Sequence, residues 1–275
     1  MQTTPEAPVA EPHLISEPDP GGGDSPAVTI EGLAHSFGEL QALDEVNLSV
    51  APREVVGIVG PSGCGKSTLL ELISGLREPT RGAVAVGSDA TADGRLARSA
   101  YMPQRDLLLP WLSALDNAAL ALRNRGARRV EARADAAPLF ERFGLAGFER
   151  ARPAELSGGM RQRVAFLRTL MAGKPLLLLD EPFASLDALT RAEMQEWLAE
   201  AIEAEPRAIV LVTHDVEEAL YLADRVVVLS ARPGRVIAEL EAPSARTTPR
   251  DRAVTGPGFA EIRHRALAAL AEGSR

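Results

Sequence analysis

Hydrophobic and polar positions follow two different patterns along the chain, and both predict strands. Residues 28–37 (VTIEGLAHSF) and 44–50 (DEVNLSV) alternate apolar with polar side chains, which predicts strands with one buried face. Other strand-length runs are almost continuously apolar, as expected for strands covered by helices on both faces. These runs are EVVGIVG (54–60), PLLLLD (175–180), AIVLVTH (208–214) and RVVVLS (225–230).

Helical patterns dominate between about residues 105 and 170. The stretches DNAALALRNRG (116–126) and RVEARADAAPLFERFG (129–144), and the residues after LSGG (156–159), have the spacing of helices. We therefore predict an α/β domain over residues 28–240, with a mostly helical subdomain inserted at about 105–170. Residues 241–275 are predicted to form a turn-rich segment and a final helix, FAEIRHRALAALAE. We find no internal repeat, so one such unit is expected.

Composition refines this picture. A hydrophobic content of 45% and a charged content of 25% are ordinary for a globular protein. Residues 1–27, in contrast, are rich in proline, glycine and acids and contain no lysine or arginine, which predicts a disordered arm. Cys64 is the only cysteine, so no intrachain disulfide can form. No apolar run is long enough to cross a bilayer, and the net charge of -8 argues against a broad nucleic-acid-binding surface.

A glycine-rich segment, GPSGCGKST at residues 60–68, lies between a buried strand and an apolar helix. It fits the pattern G-x-x-x-x-G-K-[ST], whose glycines let backbone N–H groups surround a polyphosphate at the positive end of a helix dipole. Lys66 would reach the β and γ phosphates, and Ser67 would join the shell of a Mg²⁺ ion. The alternative is a glycine-rich turn that binds nothing. The predicted phosphate-binding residues are Gly60, Pro61, Ser62, Gly63, Cys64, Gly65, Lys66, Ser67 and Thr68.

Two later strands end in polar residues that suit phosphate hydrolysis. Asp180, at the tip of LLLLD, would hold Mg²⁺, and Glu181 would take a proton from an attacking water. His214 ends the run AIVLVTH, at the sheet edge where open α/β folds place their ligands. Taken alone, two acids at a strand end are often merely solvated, and a lone histidine is more often packed or on the surface. The phosphate loop earlier in the same core favours the hydrolytic interpretation.

The stretch LSGGMRQRVAFLRTL (156–170) enters a predicted helix through two glycines, although glycine is a poor helix former. One interpretation is a loop that needs positive φ angles. The other is that a ligand closely approaches the backbone at Gly158 and Gly159. Ser157 would then offer its hydroxyl either to that ligand or to the helix as a cap. A serine cap followed by a turn leaves the glycine pair without a purpose, so we favour the close approach.

Taken in order, these motifs resemble those of the ATP-binding subunit of an ABC transporter, over about residues 28–240. GPSGCGKST resembles the Walker A loop, Gln104 in YMPQRD the Q-loop glutamine and LSGGM the signature motif. LLLLDEP resembles the Walker B strand, SLD (185–187) the D-loop and His214 the switch histidine. Six motifs in this order make the resemblance specific. It implies a P-loop NTPase (RecA-like) core with an antiparallel β subdomain and an inserted helical subdomain.

The resemblance also implies ATP and Mg²⁺ as cofactors and a second ATPase subunit, expected to be another copy of this chain, as partner. Two subunits would close head to tail over two ATP molecules. The signature residues of one subunit would then contact the γ-phosphate bound to the other. ATP would favour the closed state because ADP lacks that contact.

Three more residues receive roles from the resemblance. Gln104 would sense the γ-phosphate or the metal, so the implied metal-binding residues are Ser67, Gln104 and Asp180. Asp187 would line the interface between the two subunits. Phe37 matches the aromatic position that stacks on adenine, although an ordinary strand aromatic is the alternative.

Three stretches resemble importers of nitrate, sulfonates and taurine, a group that also handles thiamine and pyrimidine precursors: LLLPW (107–111), EPFASLDALTR (181–191) and ARPGR (231–235). Ser185 departs from the glycine or alanine usual before the D-loop leucine.

The resemblance implies a peripheral subunit on the cytoplasmic face of the bacterial membrane, two transmembrane permease subunits and an extracytoplasmic solute-binding protein, without nucleic acid. The LLLPW segment would either receive a permease helix or fill the core of the helical subdomain. Nothing in the sequence identifies the solute.

Two other functions fit parts of the sequence. A soluble ABC ATPase that acts on nucleic acid or ribosomes usually carries tandem units, long coiled-coil insertions or zinc-binding cysteines, none of which occurs here. A nucleotide-binding regulator that no longer hydrolyses ATP would not need Glu181 and His214. The importer ATPase therefore remains the favoured interpretation.

Overall fold

The computed structural model describes residues 26–184, 186–243 and 245–274. Most of the predicted amino-terminal arm lies outside the described residues. Ala27, at its end, already donates a backbone hydrogen bond to Val50 O at 2.7 Å, beside the first strand.

The described residues form two β-sheets and ten α-helices. The strands are β1 (Val28–Phe37), β2 (Leu40–Val50), β3 (Val55–Val59), β4 (Arg81–Val86), β5 (Ser99–Met102), β6 (Leu176–Asp180), β7 (Ala208–Thr213), β8 (Arg225–Leu229) and β9 (Val236–Glu241). The helices are α1 (Lys66–Ser74), α2 (Ala92–Arg98), α3 (Ala114–Ala118), α4 (Leu120–Asn124), α5 (Arg129–Arg142), α6 (Gly158–Leu170), α7 (Ala188–Ala204), α8 (Val216–Leu222), α9 (Arg250–Thr255) and α10 (Pro257–Gly273).

The smaller sheet is antiparallel, with strand order β2-β1-β4. The larger sheet has the order β5-β6-β7-β3-β8-β9, in which the first five strands are parallel and β9 runs antiparallel to β8. The carboxyl ends of β3, β6 and β7 lie side by side, because Val59 pairs with Thr213 and Asp180 with Val212. This register brings together the three segments that follow these strands.

Residues of the central strands point alternately to two hydrophobic cores. Val56 and Ile58 of β3 join a core that includes residues of the smaller sheet and α1. Val55 and Val59 join the opposite core, which includes residues of α6, α7 and α8. Since side chains alternate across a strand, a strand buried on both faces must be apolar throughout. The continuous apolar runs in the sequence have this cause.

The inserted segment carries α3, α4, α5 and α6, and it packs onto α7 through an aromatic cluster. Phe143 and Phe166 contact Trp197 of α7 with ring centroids 4.2 Å and 4.8 Å away. Edge-to-face contacts of this kind favour one relative position of the packed helices. Within the described residues, no helix has both the length and the apolar character that a membrane span requires.

Candidate active site

The phosphate loop connects β3 to α1, and the absence of a side chain at Gly65 allows it to pack closely against β2. Gly65 has a φ of 107°, and a methyl group added there would lie 2.7 Å from Cδ2 of Leu43. Gly65 is also the N-cap of α1 and places no side chain on the helix terminus. The first N–H groups of α1 therefore remain available to an anion.

Lys66 lies under this loop with its side chain buried. Its ammonium donates to the carbonyl oxygens of Gly60 at 2.8 Å and Pro61 at 3.0 Å. Three N–H groups extend from a lysine ammonium, so one of them remains for a phosphate oxygen.

Asp180 ends β6 beside the phosphate loop. It accepts hydrogen bonds from Ser67 Oγ at 3.1 Å and from the Tyr101 hydroxyl at 3.0 Å. Burial raises the pKa of the Asp180 carboxyl, while the two hydrogen bonds act in the opposite direction. Burial, followed by the charge of Asp180, raises the pKa of Tyr101. Tyr101 was not among the predicted site residues, because its contact with Asp180 spans neighbouring strands of the sheet.

Glu181, Gln104 and His214 come together at the carboxyl edge of the sheet. The Glu181 carboxylate accepts from Gln104 Nε2 at 3.2 Å and lies 3.1 Å from His214 Nδ1. Its backbone N–H donates to Val212 O at 2.8 Å, and its φ is 45°, which is uncommon for a residue with a side chain. Backbone strain of this kind is often found at functional sites.

These residues border an open cleft of about 560 Å³. Its lining residues are Phe37, Leu40, Ala42, Ser62, Gly63, Gly65, Lys66, Ser67, Thr68, Gln104, Glu181, His214 and Arg232. The cleft thus contains most of the predicted phosphate-loop residues together with the three residues of the sheet edge. Leu40, Ala42 and Arg232 were not predicted as site residues.

Phe37 lies in the cleft wall with its side chain partly exposed. The Arg77 guanidinium lies 4.8 Å from the centre of its ring, and His35 packs edge-on at 4.8 Å between centroids. Arg77 and His35 are absent from the cleft lining. Phe37 is therefore supported from outside the cleft by a cation and a second ring.

The signature residues do not line this cleft. Ser157 is the N-cap of α6, and its hydroxyl accepts from Met160 N at 3.2 Å. Neither Gly158 nor Gly159 has a positive φ, so a loop that needs such angles is not the reason for the glycines.

The two glycines have different surroundings. A methyl group added to Gly159 would lie 2.8 Å from Cγ2 of Thr190 in α7, whereas one added to Gly158 would meet only an Arg161 nitrogen at 3.9 Å. Close packing against α7 is therefore a reason for glycine at position 159 that the sequence analysis did not consider. For Gly158, no packing requirement exists among the described residues.

Asp187 is the N-cap of α7 and also lies outside the cleft. It accepts from Thr190 N at 3.1 Å and from Thr190 Oγ1 at 2.7 Å. These hydrogen bonds lower the pKa of Asp187. Thr190 thereby contacts both the start of α7 and Gly159 at the start of α6.

The LLLPW segment is divided between core and surface. Leu108 is buried, while Leu107 is 54% and Trp111 68% exposed. Leu108 thus belongs to the core, as one of the two expectations has it, while a permease contact of the exposed residues stays a prediction. Beside Trp111 lies a second cleft of about 420 Å³, whose charged lining residues are Asp116, Arg129, Arg133, Arg150 and Arg152.

Ser67, Asp180 and Gln104 offer a suitable donor set for Mg²⁺. They supply a hydroxyl, a buried carboxylate and an amide oxygen, and Mg²⁺ prefers few protein oxygens together with water and substrate phosphates. The described residues contain no group of three or more histidine, cysteine or acidic side chains arranged for a metal. A site of the Mg²⁺–nucleotide type does not need one.

The chain is similar to known proteins both in sequence and in structure. The sequence model of the family described as "ABC transporter" matches residues 43–184. The formylaminopyrimidine import ATP-binding protein ThiZ of Halalkalibacterium halodurans is 46% identical to this chain. The match covers 78% of this chain and 84% of the length of ThiZ. An aliphatic sulfonates import ATP-binding protein, SsuB 2 of Burkholderia lata, is 46% identical over 85% of this chain and 82% of its own. The dimeric ATP-binding cassette MJ0796 in a post-hydrolysis state with ADP and Pi superposes with a TM-score of 0.69. It is 32% identical, with 78% of this chain and 98% of that chain covered.

Proposed function

Because the chain belongs to the ABC transporter family, we propose that it is the ATP-binding and ATP-hydrolysing subunit of a bacterial importer for a small solute. The observation that carries this proposal is the convergence of Gln104, Glu181 and His214 beside a phosphate loop. A phosphate-binding fold that did not hydrolyse ATP would have no need for this arrangement.

The phosphates of ATP bind to the backbone N–H groups of residues 60–68 and to the amino end of α1. Lys66 donates to the β and γ phosphates from its position under the loop. Ser67, Asp180 and Gln104 would hold Mg²⁺, which supplies positive charge to the phosphate oxygens. Phe37 stacks on the adenine at the other end of the cleft.

Glu181 acts as the general base. Its carboxylate takes a proton from the water that attacks the γ-phosphate. The contacts with Gln104 and His214 orient this carboxylate and hold it at the edge of the cleft. Loss of the Gln104 or His214 side chain would leave the Glu181 carboxylate at the cleft but free to rotate.

The site is completed by a second copy of the chain. Ser157 and Gly158 lie outside the cleft of their own subunit, and the space beside Gly158 is open. In a head-to-tail dimer they contact the γ-phosphate of the partner subunit, and Asp187 lies in the same interface. Closure over ATP and opening after hydrolysis provide the movement that drives transport.

Two permease subunits dock at the surface around Leu107 and Trp111 and hold the ATPase at the cytoplasmic face of the membrane. Exposed aromatic residues are common anchors of protein interfaces. The adjacent cleft has four arginines and one aspartate among its charged residues, so it suits a permease segment that carries acidic side chains.

The solute reaches the permease from an extracytoplasmic binding protein. Because relatives at 46% identity are named as importers of aliphatic sulfonates and of formylaminopyrimidine, we place the solute among nitrate, sulfonates, taurine and vitamin precursors. The same names favour transport over a role on nucleic acid or ribosomes.

Substitution of the proposed base tests the mechanism. Glu181→Gln keeps the shape of the side chain and removes the proton acceptor, so turnover should fall at least about 100-fold while ATP affinity stays within about twofold. ATP, but not ADP, should then convert the variant to a stable dimer. Turnover is measured by phosphate release, affinity by calorimetry and the dimer by light scattering.

Glu193→Gln is a matched control, because it neutralises a largely exposed carboxylate on α7 that lies outside the cleft. It should behave as the wild type in all three measurements. Full turnover in Glu181→Gln would remove Glu181 from the role of base. A wild-type protein that binds ATP without hydrolysing it would instead indicate a regulator.

A further inference from the structure

We propose that Arg232 binds the nucleotide at the base-proximal end of its phosphate chain. Arg232 contributes to the lining of the cleft although it belongs to none of the six motifs that define the site. This inference rests on the proposed function, since it takes the cleft to be the ATP site. The chemical group that Arg232 recognises is the α-phosphate of a nucleoside di- or triphosphate.

The loop that carries Arg232 connects β8 to β9 and is attached to the wall of the cleft. Gly234 N donates to Ala42 O at 2.9 Å, and Asp44 N donates to Gly234 O at 3.1 Å. Arg235 forms an ion pair with Asp44. These contacts fix the loop to the start of β2.

The same loop also packs against the phosphate loop. A side chain on Gly234 would overlap the carbonyl oxygen of Cys64, so the backbone of residue 234 lies directly on the phosphate loop. Within the loop, Ser230 N donates to Arg235 O at 2.9 Å and Arg235 N donates to Ser230 Oγ at 3.1 Å. The turn that carries Arg232 is therefore held by hydrogen bonds between Ser230 and Arg235.

The position of Arg232 along the cleft follows from its neighbours. Glu181, bonded to Gln104 and close to His214, marks the γ-phosphate end. Under the proposed function Phe37 marks the adenine end; it pairs with Leu40 in the hairpin of β1 and β2, and the Arg232 loop is hydrogen-bonded to Ala42 of the same hairpin. The anionic group of ATP nearest to this end is the α-phosphate.

The charge of Arg232 is available for a ligand. Among the described residues, its guanidinium has no ion-pair partner, whereas Arg235 of the same loop is paired with Asp44. A guanidinium suits phosphate oxygens because its donors form a planar fork. Arg232 is exposed, so the contact is expected to contribute modestly.

A contact with the α-phosphate has a distinctive consequence, because ATP and ADP share that group. Arg232→Gln should raise the Kd of ATP and of ADP by the same factor, about 3- to 10-fold. At saturating ATP, kcat should stay within about twofold of the wild type. Arg232→Lys, which keeps the charge, should recover part of the affinity. Binding is measured by calorimetry at two salt concentrations, and the variant should show the weaker salt dependence.

Arg53→Gln is the matched control. Arg53 is exposed, carries the same charge and lies before β3, at the end of the strand away from the phosphate loop. Equal affinities in Arg232→Gln and Arg53→Gln would overturn the inference. A loss confined to ATP, or a lower kcat with unchanged Kd, would also overturn it by placing Arg232 at the γ-phosphate or in a subunit interface. A wild-type protein that fails to bind ATP would contradict the proposed function itself.

Discussion

At the scale of single residues, the glycine pair of the signature shows two different reasons for the same residue type. Gly159 is small because Thr190 of α7 occupies the space that a side chain would need. A methyl group on Gly158 would meet only an Arg161 nitrogen at 3.9 Å, so packing does not require a glycine there. Gly159 lets α6 and α7 pack closely, whereas Gly158 leaves the start of α6 without a side chain.

Alanine substitutions should separate these two reasons. Gly159→Ala should lower the free energy of unfolding by about 1–2 kcal/mol, because its methyl group would overlap Cγ2 of Thr190. Gly158→Ala should leave that free energy unchanged or slightly higher, since alanine is the better helix former. It should nevertheless lower the ATPase rate about tenfold by moving the helix terminus away from the phosphate. Urea unfolding and phosphate release give the two quantities.

A double-mutant cycle supplies the control. Thr190→Ser removes Cγ2 and keeps the hydroxyl that bonds to Asp187. Combined with Gly159→Ala, it should restore most of the lost stability. Purely additive effects of the two substitutions would show that the contact with Thr190 is not the cause.

At the scale of elements, α8 connects His214 to the carboxyl-terminal helices. Glu218 of α8 is buried and accepts from Gln195 of α7 at 3.1 Å, and Gln195 accepts in turn from Arg250 at 2.6 Å. Glu217 is paired with Arg263 of α10. The helix that follows His214 is therefore held by side chains from both α7 and the carboxyl-terminal segment.

The burial of Glu218 in α8 makes the stability of the protein depend on pH. Burial raises the pKa of Glu218 from 4.5 to about 7, with a further contribution from the charge of Asp215. The folded protein therefore binds a proton that the unfolded chain releases above about pH 4.5. The resulting stabilisation, at most about 3 kcal/mol, is fully present below that pH and is lost as the pH rises through 7.

Glu218→Gln should remove this contribution. The wild type should lose stability between pH 5 and pH 8, whereas the variant should show a flatter profile in urea unfolding across the same range. Glu193→Gln, which alters a largely exposed carboxylate on α7, should keep the wild-type slope. Identical slopes in wild type and Glu218→Gln would mean that Glu218 is ionised in the folded state.

At the scale of the whole molecule, the cleft residues and the signature residues lie apart among the described residues. The cleft holds Lys66 and Glu181, whereas Ser157 and Gly158 lie elsewhere. Trp111 and the arginine-lined cleft form a third surface. This separation suits a subunit that contacts a second ATPase subunit and a permease through different faces.

The third surface can be tested in cells that contain the matching permease subunits. Trp111→Asp should reduce the membrane-bound fraction and solute uptake by about tenfold, because it places a charge where an aromatic side chain is proposed to anchor the interface. ATP affinity should not change. Leu267→Asp, at an exposed apolar position on α10, is the control and should leave the membrane-bound fraction unchanged. Normal uptake by Trp111→Asp would exclude this surface as the docking site.

The sequence by itself determined the strands β1, β3, β6, β7 and β8, the later part of β2, the final helix and the family, because these depend on local apolar patterns and on motifs of a few residues. The less apolar or shorter elements β4, β5, β9, α2 and α9 were not predicted, since their own patterns are weak and they are held by neighbours. The tertiary structure alone decided which motif residues share a cleft and which residues without a predicted role contact them. Tyr101 reaches Asp180, 79 positions further along the chain, and Arg232 reaches a cleft built from β2 and the phosphate loop. Such contacts depend on strand order and register, which bring together segments whose separation in sequence carries no periodic signal.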